Sequence, residues 1–448
     1  MTALRSHTTM KNTNCRFSLS EFNPGHLALR LLAALLLFQA TSFGEQVPFR
    51  RAIEMAIHNS TAMTAATADV TRMSALYRET RDQYIPQVFF GSGLAYSFGF
   101  PLGEPSIFKV SSTSLLLNQA QREFIRSARS DVRAADLSKE DKKGQVILET
   151  ALSYSELDKN QASLNILRQQ EDATVKFESI EQQRIQAGVD PAVELTRARL
   201  NTARIRLKIA ELLAAADTLR VRLSQLTGFP AREFETVTES IPRLPEVSQE
   251  DDLAARAVAF SPVVKSAQEL ATAKLFQARG EHKQLYPAVD LVGQYARFTK
   301  YNNYDQYYKT FRRNNGAIGV EIRFPFLNKG QKDHSEAVYA EALRARKDAE
   351  AAKEQVSTET LKLQRTVAQL NAARDVAKLE YQLAQNSTEA IQAKVEAGQA
   401  TLRDQQQAQL DENDKYSALL DSTYELEKAQ MQLLKQTGEL EQWALSSH

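Results

Sequence analysis

Cysteine is almost missing from this chain: Cys15 is the only one among 448 residues. Cys15 lies in a segment that resembles a secretory leader. The mature chain without this leader would have no thiol for a disulfide or a cysteine metal site. An excess charge of one sign is missing as well, since 56 Lys and Arg face 55 Asp and Glu. No basic stripe stands out, so we expect no nucleic acid partner.

Residue patterns that carry catalysis are also missing. The six histidines are scattered, and the sequence contains no His-Glu-x-x-His, phosphate loop or nucleophile elbow. Paired acids such as Asp251 and Asp252 fall in polar segments. We therefore predict that the protein is not an enzyme and needs no cofactor or metal ion.

Long hydrophobic runs are limited to one, from Leu31 to Phe38. Arg30 precedes it and small residues follow, which is the pattern of a signal peptide over residues 1–44. The run is too short for a transmembrane helix of about 20 residues. Any part of the mature chain that enters a membrane would have to do so as strands.

Glycine and proline are sparse, at 16 and 12 residues, and long intervals contain neither. One interval follows Gly144 and ends at Gly188, and another follows Gly330 and ends at Gly398. Both are rich in strong helix formers, which predicts helices of about 65 Å and up to about 100 Å. Such lengths are typical of coiled coils or helical repeats. Two interpretations stay open: an antiparallel coiled-coil pair, or a wall of helices with water on both sides.

The sequence repeats itself. Gly188 and Gly398 both follow Ala in an Ala-Gly pair, Gly228 and Gly438 both follow Thr, and each pair is 210 residues apart. A Tyr- and Pro-containing segment recurs at a similar spacing, at Pro86 and Pro287. We therefore predict a first repeat over residues 45–228, a linker over 229–252 and a second repeat over 253–448.

The Ala-Gly pairs predict helix turns. Gly188 and Gly398 would take the left-handed conformation that ends a helix. Asp190 would be the N-cap of the next helix, with Pro191 at its first position. In the second repeat Thr401 would be the N-cap, with Asp404 completing a capping box. Both turns follow long helices, so we expect them at the same end of the molecule.

Each repeat also holds a predicted strand hairpin. Large and small residues alternate over 87–100, and apolar residues alternate with charged or small ones over 317–326. The return strand over 108–117 is weaker, and the Tyr-rich segment 300–315 would be a surface loop with part of an aromatic girdle. Lipid on one face and water on the other explains this alternation. A soluble hairpin over a core remains the alternative.

Four strands cannot close a barrel, and lipid tolerates no open sheet edge. Several copies of the chain would therefore have to share one barrel if these strands enter a membrane. This reasoning predicts a homo-oligomer.

The order of these features resembles the TolC-like outer-membrane efflux proteins, over roughly residues 47–443. The match includes the duplication, Ser261-Pro262, Tyr286-Pro287, the two Ala-Gly turns and the segment Gly319-Val-Glu-Ile-Arg-Phe-Pro-Phe-Leu-Asn-Lys-Gly330. The resemblance implies a mainly α fold with a small β part: a duplicated long-helix α-barrel protomer whose two hairpins join a homotrimeric, 12-stranded transmembrane β-barrel. The first repeat lacks the Pro and Gly of this segment, so we expect its strand-to-helix turn to be built differently.

The resemblance also implies a function. The protein would be a channel in the outer membrane lipid, with its helices in the periplasm, exporting substrates together with a periplasmic adaptor and an inner-membrane transporter. The rival interpretation is a periplasmic coiled-coil adaptor or structural protein without a pore.

Acidic residues near the helix turns are the candidate site. In the resembled family, acidic rings narrow the periplasmic mouth, and Asp404 and Glu194 each lie six residues after a turn glycine. Asp190 adds a third acid at this end. We predict that Asp404, Glu194 and Asp190 belong to a periplasmic gate that favours cations. The same acids would also stabilise helix N-termini without any gating role.

Overall fold

The computed structural model describes residues 45–93, 106–245, 252–298 and 312–446. The predicted signal peptide, the second half of the strand predicted over 87–100, and most of the Tyr-rich loop lie outside these residues.

Long helices dominate the described residues, with a few strands between them. In chain order the helices and strands are β1 (Glu45–Val47), α1 (Phe49–Asn59), α2 (Thr61–Asp82), β2 (Gln87–Gly91), β3 (Ser106–Leu117), α3 (Gln119–Gln186), α4 (Ala192–Thr227), β4 (Phe234–Thr236), α5 (Leu253–Phe260), α6 (Pro262–Lys283), β5 (Ala288–Phe298), β6 (Asn314–Arg323), α7 (Lys329–Glu396), α8 (Leu402–Thr437) and α9 (Leu440–Ala444). The fold is mainly α with a small β part, as predicted.

The repeat seen in the sequence has a counterpart in helix lengths. Helices α3 and α7 have 68 residues each, α4 and α8 have 36 each, and α2 and α6 have 22 each. A helix of 68 residues is about 100 Å long. The length predicted for the second long helix is confirmed. The repeat boundaries themselves remain a prediction.

The prediction for the first long helix was too short. Helix α3 begins at Gln119 and continues through Gly144. Glycine inside a helix costs about 1 kcal/mol relative to alanine, which the packing of a long helix easily offsets. An added Cβ at Gly144 would lie 3.7 Å from the Lys435 side chain, so α8 already covers this position.

Both long helices begin with the same kind of N-cap, although the strand-to-helix turns differ as predicted: one residue separates β3 from α3, and five residues separate β6 from α7. The Asn118 side chain accepts a hydrogen bond from the backbone N–H of Gln121, at 3.0 Å. Asn328 does the same for Gln331, also at 3.0 Å. An N-cap of this kind satisfies a backbone donor that has no partner within the helix. The Asn-x-x-Gln spacing therefore starts the helix in both repeats, with or without the Pro and Gly.

The strands of both repeats join in one sheet of order β2-β3-β5-β6, all antiparallel. Strand β3 is paired on both sides, which explains how it forms despite its run of Ser and Thr. Strand β6 lies at residues 314–323, a few residues before the predicted 317–326. It ends before Pro325 because proline has no N–H to give to a strand ladder.

A compact aromatic core ties β1, α1 and the C-terminal segment to the middle of the long helices. Phe49 packs edge-on against Tyr154 and Trp443, with ring centroids 5.3 and 5.5 Å apart. The Tyr154 hydroxyl donates to the Val47 carbonyl at 2.7 Å, and β1 pairs in parallel with β4 of the linker. The Trp443 indole donates to the Arg243 carbonyl at 3.2 Å. The linker and the C-terminal segment thus pack against the long helices.

Candidate functional site at the helix turns

The two turns are built alike from backbone hydrogen bonds. Gly188 and Gly398 have φ of 74° and 70°, a left-handed conformation that suits glycine. The N–H of the residue after each glycine donates back to the helix, Val189 to Arg184 and Gln399 to Lys394, at 2.9 and 2.7 Å. This is the Schellman arrangement, which satisfies the last helix carbonyls. At each turn the chain therefore reverses its direction within a few residues.

Asp190 has a different role from the predicted N-cap. Pro191 itself occupies the N-cap position, without a side-chain hydrogen bond, and α4 begins at Ala192. The Asp190 carboxylate instead accepts from the Arg184 guanidinium, with Nε and Oδ2 2.6 Å apart. This hydrogen bond, with the charge of Arg184, lowers the pKa of Asp190. Asp190 therefore locks the turn back onto the end of α3.

Glu194 connects the two turns. Its carboxylate is paired with Arg197 on the same helix, at 3.0 Å, and with Arg403 of the second turn, at 3.5 Å. Arg403 also reaches Glu181 on α3, at 3.4 Å. One arginine of the second repeat thus bridges two carboxylates of the first. The two turns lie together at one end, as predicted.

Sequence reasoning missed Arg403 and Glu181. Glu181 is 3% exposed, and its second carboxylate oxygen has no hydrogen-bond partner. The two residues are 222 positions apart, and neither belongs to a recognisable motif. The only local hint was that Arg403 directly precedes Asp404.

Asp404 forms the capping box that the sequence predicted. The Asp404 backbone N–H donates to the Thr401 hydroxyl at 3.2 Å, and the Asp404 carboxylate accepts from the Thr401 N–H at 2.9 Å. The hydrogen bonds from the side chain and the backbone of Thr401 lower the pKa of Asp404. The structure therefore places Asp404 at a helix start, while Glu194 and Asp190 make contacts with arginines.

The four-stranded sheet has two chemically different faces. The register puts Ile318, Val320 and Ile322 on one face with Val289 and Leu291 of the neighbouring strand. These β6 side chains are exposed, Ile318 by 88%. The opposite face carries polar groups, which include Lys109, Ser111, Thr113, Asp290, Gln294, Glu321 and Arg323. Alternation of this kind is typical of a sheet with lipid on one side and water on the other.

The helices that flank the wall carry exposed apolar stripes. Near the turns α4 packs on α3, α3 on α8, and α8 on α7, so α4 and α7 lie at the two edges. Val193, Leu200 and Leu207 follow each other at seven-residue steps on α4 and are about half exposed. Helix α7 exposes Val376, Leu379 and Leu383. Apolar side chains at heptad spacing are the usual contacts between long helices.

The described ranges contain neither a candidate metal centre nor a candidate membrane-spanning helix. Among these residues no group of three His, Cys, Asp or Glu side chains is placed to hold a metal ion. None of the helices in the described part of the chain is both long and apolar enough to cross a membrane.

Comparison with known proteins finds a matching family model for the first part of the chain. Residues 52–229 match the model of the family described as outer membrane efflux protein. Over these residues the chain is similar to the outer membrane efflux proteins. No curated protein matches the chain significantly.

Solved structures extend the likeness of fold to most of the chain. The CmeC outer membrane channel of Campylobacter jejuni is similar with a TM-score of 0.73 at 15% identity, covering 88% of this chain and 86% of that one. VceC of Vibrio cholerae gives 0.69 at 17%, covering 86% and 96%. The open state of the Neisseria gonorrhoeae MtrE channel gives 0.68 at 14%, covering 88% and 90%. The predicted TolC-like fold is confirmed.

The family match and the likeness to solved outer membrane channels together support the predicted function of an efflux channel and its location in the outer membrane. The long helices of the chain lie on the periplasmic side. The family consists of channels rather than enzymes, and TolC-like channels in general are trimers that work with adaptors and inner-membrane pumps. The rival interpretation, an adaptor without a pore, is not favoured.

Proposed function

We propose that this protein is a homotrimeric export tunnel whose three copies share one transmembrane barrel. The sheet carries this proposal. Its apolar face is exposed along β6, and β2 and β6 lie at its edges. Because unpaired strand edges are excluded from lipid, β6 of one copy pairs with β2 of the next. Three copies of a four-stranded sheet supply the twelve strands.

The contact between neighbouring copies continues along the edge helices α4 and α7 toward the turns. Helix α4 starts at the turn end and α7 finishes there, so they run in opposite directions. We propose that the stripe on α4 packs antiparallel against the stripe on α7 of the next copy. Sheet edge and helix edge then join the same pair of copies, and the helical wall continues the barrel.

The proposed partners are a periplasmic adaptor at the turn end and an inner-membrane transporter beyond it. Passage through a water-filled tunnel needs no chemistry in this chain. The transporter would supply the energy, and the adaptor would connect it to the turns.

The gate is proposed at the turns, where Asp190, Glu194 and Asp404 lie. Arg403 supports this proposal because it bridges Glu181 and Glu194, and so ties the second hairpin to the first within one copy. Opening the mouth by moving one hairpin away from the other would break these contacts. Asp404 supplies negative charge beside Arg403 and is the candidate for cation selectivity.

Planar bilayer recordings of the purified trimer test the tunnel and its gate. We expect wild-type channels of low conductance, and a higher open probability for Arg403→Gln because its two carboxylate contacts are lost. Asp404→Asn should leave the conductance similar but weaken cation selectivity. Arg206→Gln, which removes an exposed arginine from α4, is the matched control.

Two results would count against the proposal. A protein that salt washing releases from outer membranes, with no detergent-stable oligomer, would overturn the tunnel itself. Channels with unchanged open probability in Arg403→Gln and unchanged selectivity in Asp404→Asn would overturn the gate alone.

A further inference from the structure

A groove lies where α6 ends and α7 begins, next to the sheet. Its volume is about 400 Å³, and its walls come from both helices and from the segment that leads into β5. The lining residues that carry the argument are Arg279, His282, Lys283, Tyr286, Glu336 and Tyr339. Lys283 is the last residue of α6, and a connection of five residues leads from β6 to α7. The groove therefore sits at the level where the proposed barrel meets the periplasm.

Basic residues outnumber acidic ones in the lining of this groove, where Arg279 and Lys283 accompany Glu336. Buried Glu123 on α3 accepts from Lys283 at 2.7 Å and from Arg126 at 3.1 Å. Burial opposes ionisation of Glu123, but Lys283, Arg126 and Arg279 together hold its pKa below the usual value. Arg126 and Arg279 both lie over the Phe276 ring, 6.0 and 5.8 Å from its centroid. Arg279 and Lys283 thus line the groove together with Glu336, while Lys283 and Arg126 share Glu123.

The rest of the lining consists of two tyrosines, one alanine, His282 and Ser335. Tyr286 and Tyr339 are 44% and 62% exposed. Tyrosines of this kind concentrate where a membrane meets water, because the ring is apolar and the hydroxyl is polar. Beyond the groove the chain exposes Phe326 almost completely, in the connection between β6 and α7. An apolar surface next to a basic groove matches an acyl chain next to a phosphate.

We propose that this groove binds an anionic phospholipid of the membrane leaflet that faces the periplasm, with its phosphate held by Arg279 and Lys283. This inference rests on the proposed function, because only a sheet in the membrane brings the groove to a lipid surface. One lipid per copy would neutralise the excess charge and fix the depth of the barrel in the bilayer. The competing occupant is helix α2 of the neighbouring copy.

Native mass spectrometry of the delipidated full-length trimer tests the site, with phosphatidylglycerol and phosphatidylcholine added in turn. Each basic residue near an anionic surface contributes a factor of about five in affinity. We expect the trimer to prefer phosphatidylglycerol, and Arg279→Gln to weaken that binding about fivefold. The double variant Arg279→Gln with Lys283→Gln should weaken it about 25-fold. Glu336→Gln should strengthen it, which a variant that only damages the fold would not do.

The control is Arg206→Gln with Lys208→Gln, which removes two exposed cations from α4 and should leave lipid binding unchanged. Equal affinity of wild type and Arg279→Gln for phosphatidylglycerol, or no preference over phosphatidylcholine, would overturn the lipid site. So would an oxidative cross-link between Tyr339→Cys of one copy and Leu76→Cys on α2 of the next. If these results overturn the lipid site but the trimer still conducts normally, the proposed function stands. If the wild-type protein forms no trimer, the proposed function is contradicted.

Discussion

Two glycines inside long helices differ in what surrounds them. At Gly280, on α6, an added Cβ would lie 2.5 Å from the Phe124 ring of α3, closer than real Cβ contacts. At Gly144, on α3, the nearest atom would be 3.7 Å away on the flexible Lys435 side chain. Only Gly280 is therefore required for close helix packing, although both glycines weaken their helices equally by propensity.

Gly280→Ala should lower the free energy of unfolding by about 1–3 kcal/mol, because the ring of Phe124 must move. Gly144→Ala should raise it by up to about 1 kcal/mol, because alanine is the better helix former. Denaturant unfolding of the purified protein measures both. Adding Phe124→Leu should recover part of the loss in Gly280→Ala. Equal free energies of unfolding for Gly280→Ala and Gly144→Ala would show that the close approach of Phe124 to Gly280 does not affect stability.

At the scale of one element, the start of each long helix depends on one asparagine. Asn118 and Asn328 make the same hydrogen bond, although the residues that precede them differ between the repeats. Helix α7 has no acidic residue in its first turn, so the N-cap is its main local support there. The end of each long helix depends on a glycine and the backbone instead.

Asn118→Ala and Asn328→Ala should each destabilise the protein by about 1 kcal/mol, because a backbone donor loses its acceptor. Asn328→Asp keeps an acceptor at the same place and should retain most of the stability. Hydrogen exchange of the first-turn amides of α3 and α7 reports the local effect. Unchanged exchange at Gln331 in Asn328→Ala would contradict the role assigned to this cap.

At the scale of the whole molecule, the exposed surfaces are typical of one subunit of an oligomer. The sheet is exposed on its apolar face, and the edge helices expose heptad stripes. A single copy in water would leave this apolar surface unburied, which soluble monomers avoid. The assembly should therefore depend on contacts between α4 and α7 of different copies.

Leu207→Cys with Leu379→Cys, in a Cys15→Ser background, should form disulfides between copies and give a covalent trimer on oxidation. Within one copy α3 and α8 separate these helices. Lys208→Cys with Leu379→Cys is the control, because Lys208 points toward Asp414 on α8 and not along the stripe. Non-reducing electrophoresis distinguishes the two. Cross-linking in the control pair alone would show that another face of α4 contacts α7 of the next copy.

The sequence predicted the helices and their turns well, because those features depend on local chemistry. The capping box of Thr401 and Asp404 is a short-range pattern, and so is the lack of Gly and Pro over 331–397. The prediction failed where packing outweighed a local preference. Gly144 was given too much weight as a helix boundary, and Asp190 was assigned an N-cap that Pro191 occupies.

The helix lengths of the second repeat and the alternation in the strands were thus determined by the sequence alone, since each rests on residues close together in the chain. The duplication was also visible in the sequence, because the same short segments recur 210 residues apart. Tertiary structure decided which distant residues meet. It brought Arg403 to Glu181 and Glu194, joined two hairpins in one sheet, and set Arg279 and Lys283 beside Glu123. The physical reason is that such contacts depend on how helices of about 100 Å are aligned with each other, which no local pattern encodes.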